Sequence, residues 1–381
     1  MESMKKYHKE IIAYCMGDST NPKTWSSVPY FFLNTLEDEF KIIVHRINID
    51  LREKSRLLRS INKIFNYMVH KIYGYDTLYA FERTRLWIFL VRIYMYRVYK
   101  KYNTSDLLIS FDFSSSISDL VNTDTLLFCD WTIEYEIVEH QKRQPFKIER
   151  KMIKQQYETI KNSKYVVTIF PNAKDEIEKK VNRDVFYFGN VINSKKIYLN
   201  CDWLTRKYNS NHILFIGREK YKIGLMVLIK AIELYNKKNP KQIILDVIGM
   251  DNVENNKDWI NCYGYLNKDN EAENGIYTNL IRNAKCYVNT NPNWIGASSL
   301  IEVLAYGTPC IVSKNADLVR TFGDELDFGY YCQNSEKQVE QCISTILSKD
   351  NSDYGCLCRA AISSVKDFSW EGYIKKLMKY I

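Results

Sequence analysis

Short apolar runs rich in β-branched and aromatic residues alternate along this chain with longer stretches whose apolar positions recur at helical spacing. Ile11 to Met16 reads as a strand ending at Gly17, followed by the polar loop GDSTNPKTWSSVP and a helical pattern from about Tyr30. Lys41 to Ile47, Leu107 to Ser110 and Thr125 to Cys129 read as further strands, with a long basic and aromatic helical region between Arg52 and Tyr102. A charged helix spans Ile148 to Asn162, and YVVTIF (Tyr165 to Phe170) is a β-branched strand. A helix opens after Pro171, with acidic residues early and lysines late, as the helix dipole favours. VFYFGNVI (Val185 to Ile192) reads as a strand, and the polar stretch from Asn193 to Asn211 as a linker.

The rhythm then restarts. His212 to Gly217, Ile243 to Gly249, Ile260 to Leu266, Cys286 to Thr290 and Pro309 to Ser313 read as strands. Helices are expected at Gly224 to Lys237, Glu273 to Ala284 and Ser299 to Tyr306. Strands that alternate with helices imply parallel sheets covered on both faces. Two such halves in series imply an α/β chain of two Rossmann-like domains facing a cleft, and 381 residues suit two domains better than one core.

Composition narrows the classes. With 46% hydrophobic and 26% charged residues, the chain is globular. The formal charge of +9 suits nucleic acid, anionic lipid or a phosphorylated substrate without choosing among them. The basic residues are dispersed and form no recognised nucleic-acid module, so nucleic acid is not an expected partner. None of the 10 cysteines forms a CxxC pair and the 5 histidines lie far apart, so neither a metal site nor a disulfide framework is indicated. No signal peptide and no run of 18 apolar residues occurs, which points to the cytoplasm.

Three segments carry candidate chemistry. FIGREKYKIG (Phe215 to Gly224) runs from a strand end through Gly217 and the cations Arg218, Lys220 and Lys222 to a helix start, the setting of a diphosphate site. The competing reading is a basic surface loop. In NTNPNWIGASSLIEVLAYGTPCIVS (Asn289 to Ser313), small residues at Gly296, Ala297, Ser298 and Ser299 let a ligand approach a helix start. Glu302, one turn inside, could accept both hydroxyls of a ribose; equally, Ser299 to Glu302 fits the S-x-x-E capping box. Finally, RTRLWIFLVRIYMYRVYKKY (Arg83 to Tyr102) mixes apolar, aromatic and basic residues. It reads either as a contact with an anionic membrane surface or as a core helix with snorkelling basic ends.

The first two segments bring out a family resemblance. GREKYKIG with the following LI.AI resembles the GRL…KG…LI.A segment of retaining glycosyltransferases of the GT-B fold, especially family 4. WIGASSLIEVLAYGTPCIVS resembles the EGFGL…EAMA.G.PVIAS segment of that family. FSWEGYIKKLMKY (Phe368 to Tyr380) is similar to the closing helix that crosses back onto the N-terminal domain. GDSTNPKTWSSVPYF resembles a subset whose first loop reads D…WSG.P.

The resemblance implies an N-terminal acceptor domain over residues 1–200 with the closing helix 366–381, and a donor domain over 201–365. It implies a metal-independent, retaining transferase that moves a sugar from a UDP- or GDP-linked donor to a glycan or lipid-linked acceptor in polysaccharide biosynthesis. No cofactor beyond the donor is implied. Gly217, Arg218, Lys222, Ala297, Ser298, Ser299, Glu302 and Trp294 would form the donor site, with Arg218 on the diphosphate and Glu302 on the ribose. Gly17, Trp25, Ser26 and Ser27 would line the cleft near the acceptor. Asp130, in FCDWTIE after a buried strand, is the cleft acid by position, or else a helix cap or turn residue.

Two departures from the family pattern stand out. The first Glu of its paired-Glu motif falls on Trp294, and its loop lysine falls on Ile223, with Lys222 one place earlier. The same fold also leaves open a nucleotide-sugar epimerase, and Trp294 leaves open a binding protein without turnover. Peripheral contact with the inner face of an anionic membrane is expected through residues 83–102.

Overall fold

A computed structural model of the chain describes residues 9–194, 197, 199–253, 257–268, 270–292 and 297–381. The chain divides into two compact units, Met1–Asn190 with Trp370–Ile381, and Val191–Ser369. In the first unit the order is β1 (Glu10–Cys15), α1 (Val28–Asp38), β2 (Ile43–Asn48), α2 (Leu51–Lys54), α3 (Arg56–Tyr73), α4 (Arg85–Lys101), β3 (Leu107–Ser110), β4 (Asp124–Cys129), α5 (Ile133–Tyr135), α6 (Lys147–Asn162), β5 (Tyr165–Thr168) and α7 (Pro171–Val181). The second unit holds α8 (Trp203–Asn209), β6 (His212–Ile216), α9 (Lys222–Lys238), β7 (Ile244–Ile248), β8 (Ile260–Cys262), α10 (Glu271–Asn283), β9 (Cys286–Asn289), α11 (Ala297–Ala305), β10 (Cys310–Val312), α12 (Ala316–Phe322), β11 (Gly329–Tyr331), α13 (Glu336–Leu347) and α14 (Asn351–Val365). Helix α15 (Trp370–Leu377) belongs to the first unit, where Trp370 packs edge-on against Phe32 at 5.6 Å.

Each unit is built on one parallel sheet. The first has the order β2-β1-β3-β4-β5, the flavodoxin-like arrangement, and the second β11-β10-β9-β6-β7-β8, the Rossmann arrangement. Central strands are mostly apolar because helices cover both faces: Ile11, Ile12, Ala13 and Tyr14 of β1 and all of β9 are buried, Asn289 being the polar exception in β9. Strand order reverses between β1 and β3 in one sheet and between β6 and β9 in the other. In doubly wound sheets the crevice outside the carboxyl ends at such a reversal is where ligands bind.

The structure corrects three sequence expectations. Val185 to Ile192 is not a strand: Phe186 makes a single bridge to Val167. The neighbouring rings are instead used in packing, with Phe186 and Phe188 stacked at 5.8 Å and both against Tyr380. The expected linker contains α8, which is held by Lys207. Its buried Nζ donates to Thr308 Oγ1 at 2.6 Å and to Ile281 O at 2.7 Å, at the end of α10. The helical region from Arg52 to Tyr102 is divided: Ser55 caps α3 by accepting from Leu58 N, and Thr84 caps α4 by accepting from Trp87 N. No helix of the described residues is long and apolar enough to cross a membrane.

Candidate functional site

At the reversal in the second sheet, β6 runs into Gly217 and Arg218, a 3-10 turn at Glu219–Tyr221 follows, and Lys222 opens α9. Gly224 lies against the loop after β9: a β-carbon there would stand 2.9 Å from Asn291 N, so only glycine admits this approach. The Tyr221 side chain does not bond the first-turn amides of α9. The Lys222 amide donates to Glu219 O, and the positive end of the helix dipole faces the carboxyl end of the sheet, where it favours an anion. Arg218 is exposed, with its guanidinium 5.7 Å from the centre of the Tyr265 ring. Lys222 is paired with Glu219 at 3.1 Å, and Ile223, at the family's lysine position, is 64% exposed.

Glu302 is buried at 5% exposure within α11. Its two carboxylate oxygens accept from Lys268 Nζ at 2.8 and 2.5 Å, and Tyr277 OH donates at 2.9 Å. The capping-box alternative does not hold. Ser299 is the third residue of α11, not its cap, and its hydroxyl lies 3.2 Å from Tyr287 OH. Burial, followed by the charge of Glu302, pushes the Tyr277 phenol well above its usual range, which keeps it a donor. Ser298 is exposed at the start of α11. Trp294 and Gly296, and the side chain of Ala297, lie outside the described residues. Segment 265–268 therefore joins the two halves of the expected donor site, with Tyr265 under Arg218 and Lys268 on Glu302. Lys268 and Tyr277 have no counterpart in the sequence reading, because Lys268 sits in an unpatterned loop and Tyr277 reads as an ordinary core position of a helix.

At the reversal in the first sheet, Gly17 follows β1 at φ 105°, and its amide donates to Asn48 Oδ1 at 3.1 Å. Trp25, Ser26 and Ser27 have φ of 41°, 53° and 69°, three consecutive left-handed residues with side chains. Each costs about 1–2 kcal/mol, so the surroundings must impose the conformation. Ser27 Oγ donates to Pro22 O at 2.6 Å, and Trp25 Nε1 donates to Asp130 Oδ2 at 2.9 Å. The Trp25 ring also meets Phe111 and Phe128 edge-on at 6.1 and 5.9 Å.

Asp130 follows β4 and is half-buried. It does not cap a helix: Thr132 caps α5 by accepting from Tyr135 N at 3.0 Å. Burial pushes the Asp130 carboxyl up to about 6, against the opposing pull of the Trp25 N–H and of His140. His140 lies in a π-type turn, Glu136–His140, edge-on to Trp131 at 4.4 Å and 2.7 Å from Glu136. Asp112 follows β3 at the same reversal, its carboxylate accepting from Ser114 N at 2.9 Å. Asp112 and His140 belong to no motif in the sequence; the one signal for Asp112 is an acid directly after a buried strand.

Among solved structures the chain is similar to sucrose-phosphate synthase from Thermosynechococcus elongatus, at 15% identity and a TM-score of 0.65 over 97% of this chain and 98% of that one. It is also similar to a glycosyltransferase from Rickettsia africae, at 14% identity and a TM-score of 0.60 over 98% and 97%. A third is HepE from Anabaena, solved in complex with UDP and glucose, at 12% identity and a TM-score of 0.59 over 98% and 99%. No protein-family model and no curated protein sequence matches the chain. The chain thus has the GT-B fold, two Rossmann-like domains in series.

Proposed function

We propose that this chain is a glycosyltransferase that moves a sugar from a nucleoside-diphosphate donor to a hydroxyl acceptor, with the second unit holding the donor. The observation that carries this reading is the position of Arg218, Lys222 and the α9 amino terminus directly after β6, at the strand-order reversal of a GT-B chain. When the bond from the sugar to the diphosphate breaks, negative charge grows on the leaving oxygen. Arg218 offers a rigid two-pronged donor to it, Lys222 a point charge, and the helix termini fixed amides. Glu302 takes the ribose hydroxyls in place of Lys268, which is one-third exposed and so has room to swing away.

In the first unit, Asp130 accepts a hydrogen bond from the acceptor hydroxyl. Its carboxyl, raised to about 6, is ionised at neutral pH yet closer to the working range than an ordinary aspartate. Trp25 holds it through Nε1. The retaining, metal-independent chemistry of family 4, and a glycan or lipid-linked acceptor on the cytoplasmic side of a membrane, complete the proposal. A UDP-linked donor is the first to test, since HepE was solved with UDP and glucose.

The test is NMR product analysis with UDP- and GDP-sugars and saccharide acceptors, with and without a chelator. Free nucleoside diphosphate together with a new glycoside of unchanged anomeric configuration, at a chelator-independent rate, supports the proposal. An isomeric donor would make the chain an epimerase, and binding without any product a non-catalytic receptor; either result overturns it.

A further inference from the structure

The exposed apolar surface of the first unit is concentrated on two helices. Of 17 large hydrophobic side chains exposed among the described residues, 8 lie between Leu57 and Tyr75, and Leu86, Phe89 and Ile93 of α4 add 3. On α3, Leu57, Ile61, Ile64, Met68 and Ile72 follow one another at helical spacing and line one face. Leu57 and Ile72 are 70% and 72% exposed. The helix is fixed to the unit by a different edge, where Val69 is buried and Leu58 and Phe65 pack on the core formed with Phe81 and Trp87. The outward stripe is therefore additional to what folding requires.

Charge falls on the same elements. Helix α3 carries Arg56, Arg59, Lys63 and Lys71, and α4 carries Arg85, Arg92, Arg97, Lys100 and Lys101; neither helix contains an acidic residue. The chain has 54 basic and 45 acidic residues, so the 9 cations of these two helices equal its whole formal excess. Arg92 is paired with Asp119, 2.5 Å away.

Three occupants could cover such a face. A second copy of the chain would set these cations against their own kind. A nucleic acid would satisfy the cations and leave the apolar stripe in water. An anionic bilayer surface accepts both, with the stripe among the acyl chains and the cations at the headgroups. We propose that α3 lies in the interface of an anionic membrane, inserting Leu57, Ile61, Ile64, Met68 and Ile72. Arg56, Arg59, Lys63 and Lys71 sit at headgroup level, with Tyr67 and Tyr75 beside them. Helix α4 contributes in second place. It keeps Trp87, Ile88, Val91 and Met95 in the core and offers the surface only Leu86, Phe89 and Ile93 before its basic end. The membrane contact thus moves from the 83–102 segment to the helix before it.

The test is co-sedimentation of the full chain with vesicles of phosphatidylcholine alone, and of phosphatidylcholine mixed equally with phosphatidylglycerol. The chain should partition onto the mixed vesicles at least ~10-fold more strongly, and less so at high salt. The double variant I64E/M68E, on an exposed face, should keep its melting temperature and lose at least ~10-fold in partitioning. In I64W, the new indole should be quenched by lipids brominated on their acyl chains. No binding to mixed vesicles, equal binding by I64E/M68E, or no quenching overturns the proposal. A dimer in the absence of lipid that I64E/M68E dissociates, without vesicle binding, assigns the face to a second copy and overturns it too. Glycosyl transfer is not read in this experiment, so its failure leaves the proposed reaction standing.

Discussion

Lys268 holds Glu302 by both carboxylate oxygens, at 2.8 and 2.5 Å, on a side chain buried to 5% exposure. A buried carboxylate whose cationic partner is one-third exposed is a group that can exchange that partner for a ligand. If Glu302 receives the ribose diol, wild-type protein should bind UDP at least ~10-fold more tightly than its 2′,3′-dideoxy analogue, as expected for two charge-assisted hydrogen bonds. The variant E302Q should lose most of this discrimination while binding the dideoxy analogue as before. K268A, which removes the competitor, should tighten UDP. Weaker UDP binding in K268A would mean that Lys268 itself holds the ligand.

If Asp130 meets the acceptor hydroxyl, the proposed reaction carries a pH signature. With its carboxyl at about 6, kcat/KM should fall below pH 6 with a slope of one, and D130N should lose ~100-fold and the acid limb together. In W25F the carboxylate loses the Nε1 donor that opposes the upward shift, so the limb should move to higher pH. Stability carries the opposite sign. The folded state holds the Asp130 proton more tightly than the unfolded chain, so this contribution is present below the ordinary carboxyl value of 3.8 and is lost as pH rises through about 6. D130N should therefore be more stable than wild type at pH 8, by about 1–3 kcal/mol, and should show no advantage at pH 4. Denaturant titrations at the two pH values decide this, and an equal advantage at both would sink the assignment.

Lys207 makes a second pH-linked prediction, in another window. Burial draws its ammonium down to about 7 from 10.5, so the folded state binds this proton less tightly than the unfolded chain. Its contribution to stability is present above the unfolded value and is lost as pH falls through about 7. K207M leaves Thr308 Oγ1 and the carbonyls of Ile281 and Ala284 without this donor and should cost about 1–3 kcal/mol at pH 8. The deficit of K207M relative to wild type should shrink from pH 9 to pH 6; a constant deficit would contradict the burial account.

Which features were legible in the sequence follows from how local their causes are. Strands such as Ile11 to Tyr14 and Cys286 to Val288 announce themselves because both sheet faces are covered, so every side chain is apolar. Helix α7 is legible from Pro171 and its charge order. The segment at Val185 has the same composition as a strand and fails to become one, because its aromatic rings are taken up by Tyr373 and Tyr380 near the far end of the chain. Helix α8 reads as linker because its anchor is a lysine, whose burial depends on carbonyls more than 70 residues away. In the candidate site, Arg218 and Asp130 could be named from their position after strands. Lys268 and Tyr277 could not, since only the folded chain brings them to the Glu302 carboxylate.

Calorimetric titration of UDP and GDP into wild-type protein and R218A tests the central claim most directly. Arg218 is exposed, so the variant should fold and melt like wild type. Loss of a guanidinium on a diphosphate should weaken the bound nucleotide by ~30-fold or more, and R218K should recover only part of that. A nucleoside diphosphate that binds wild type and R218A equally, or failure of wild type to bind either nucleotide, would contradict a donor site at the end of β6.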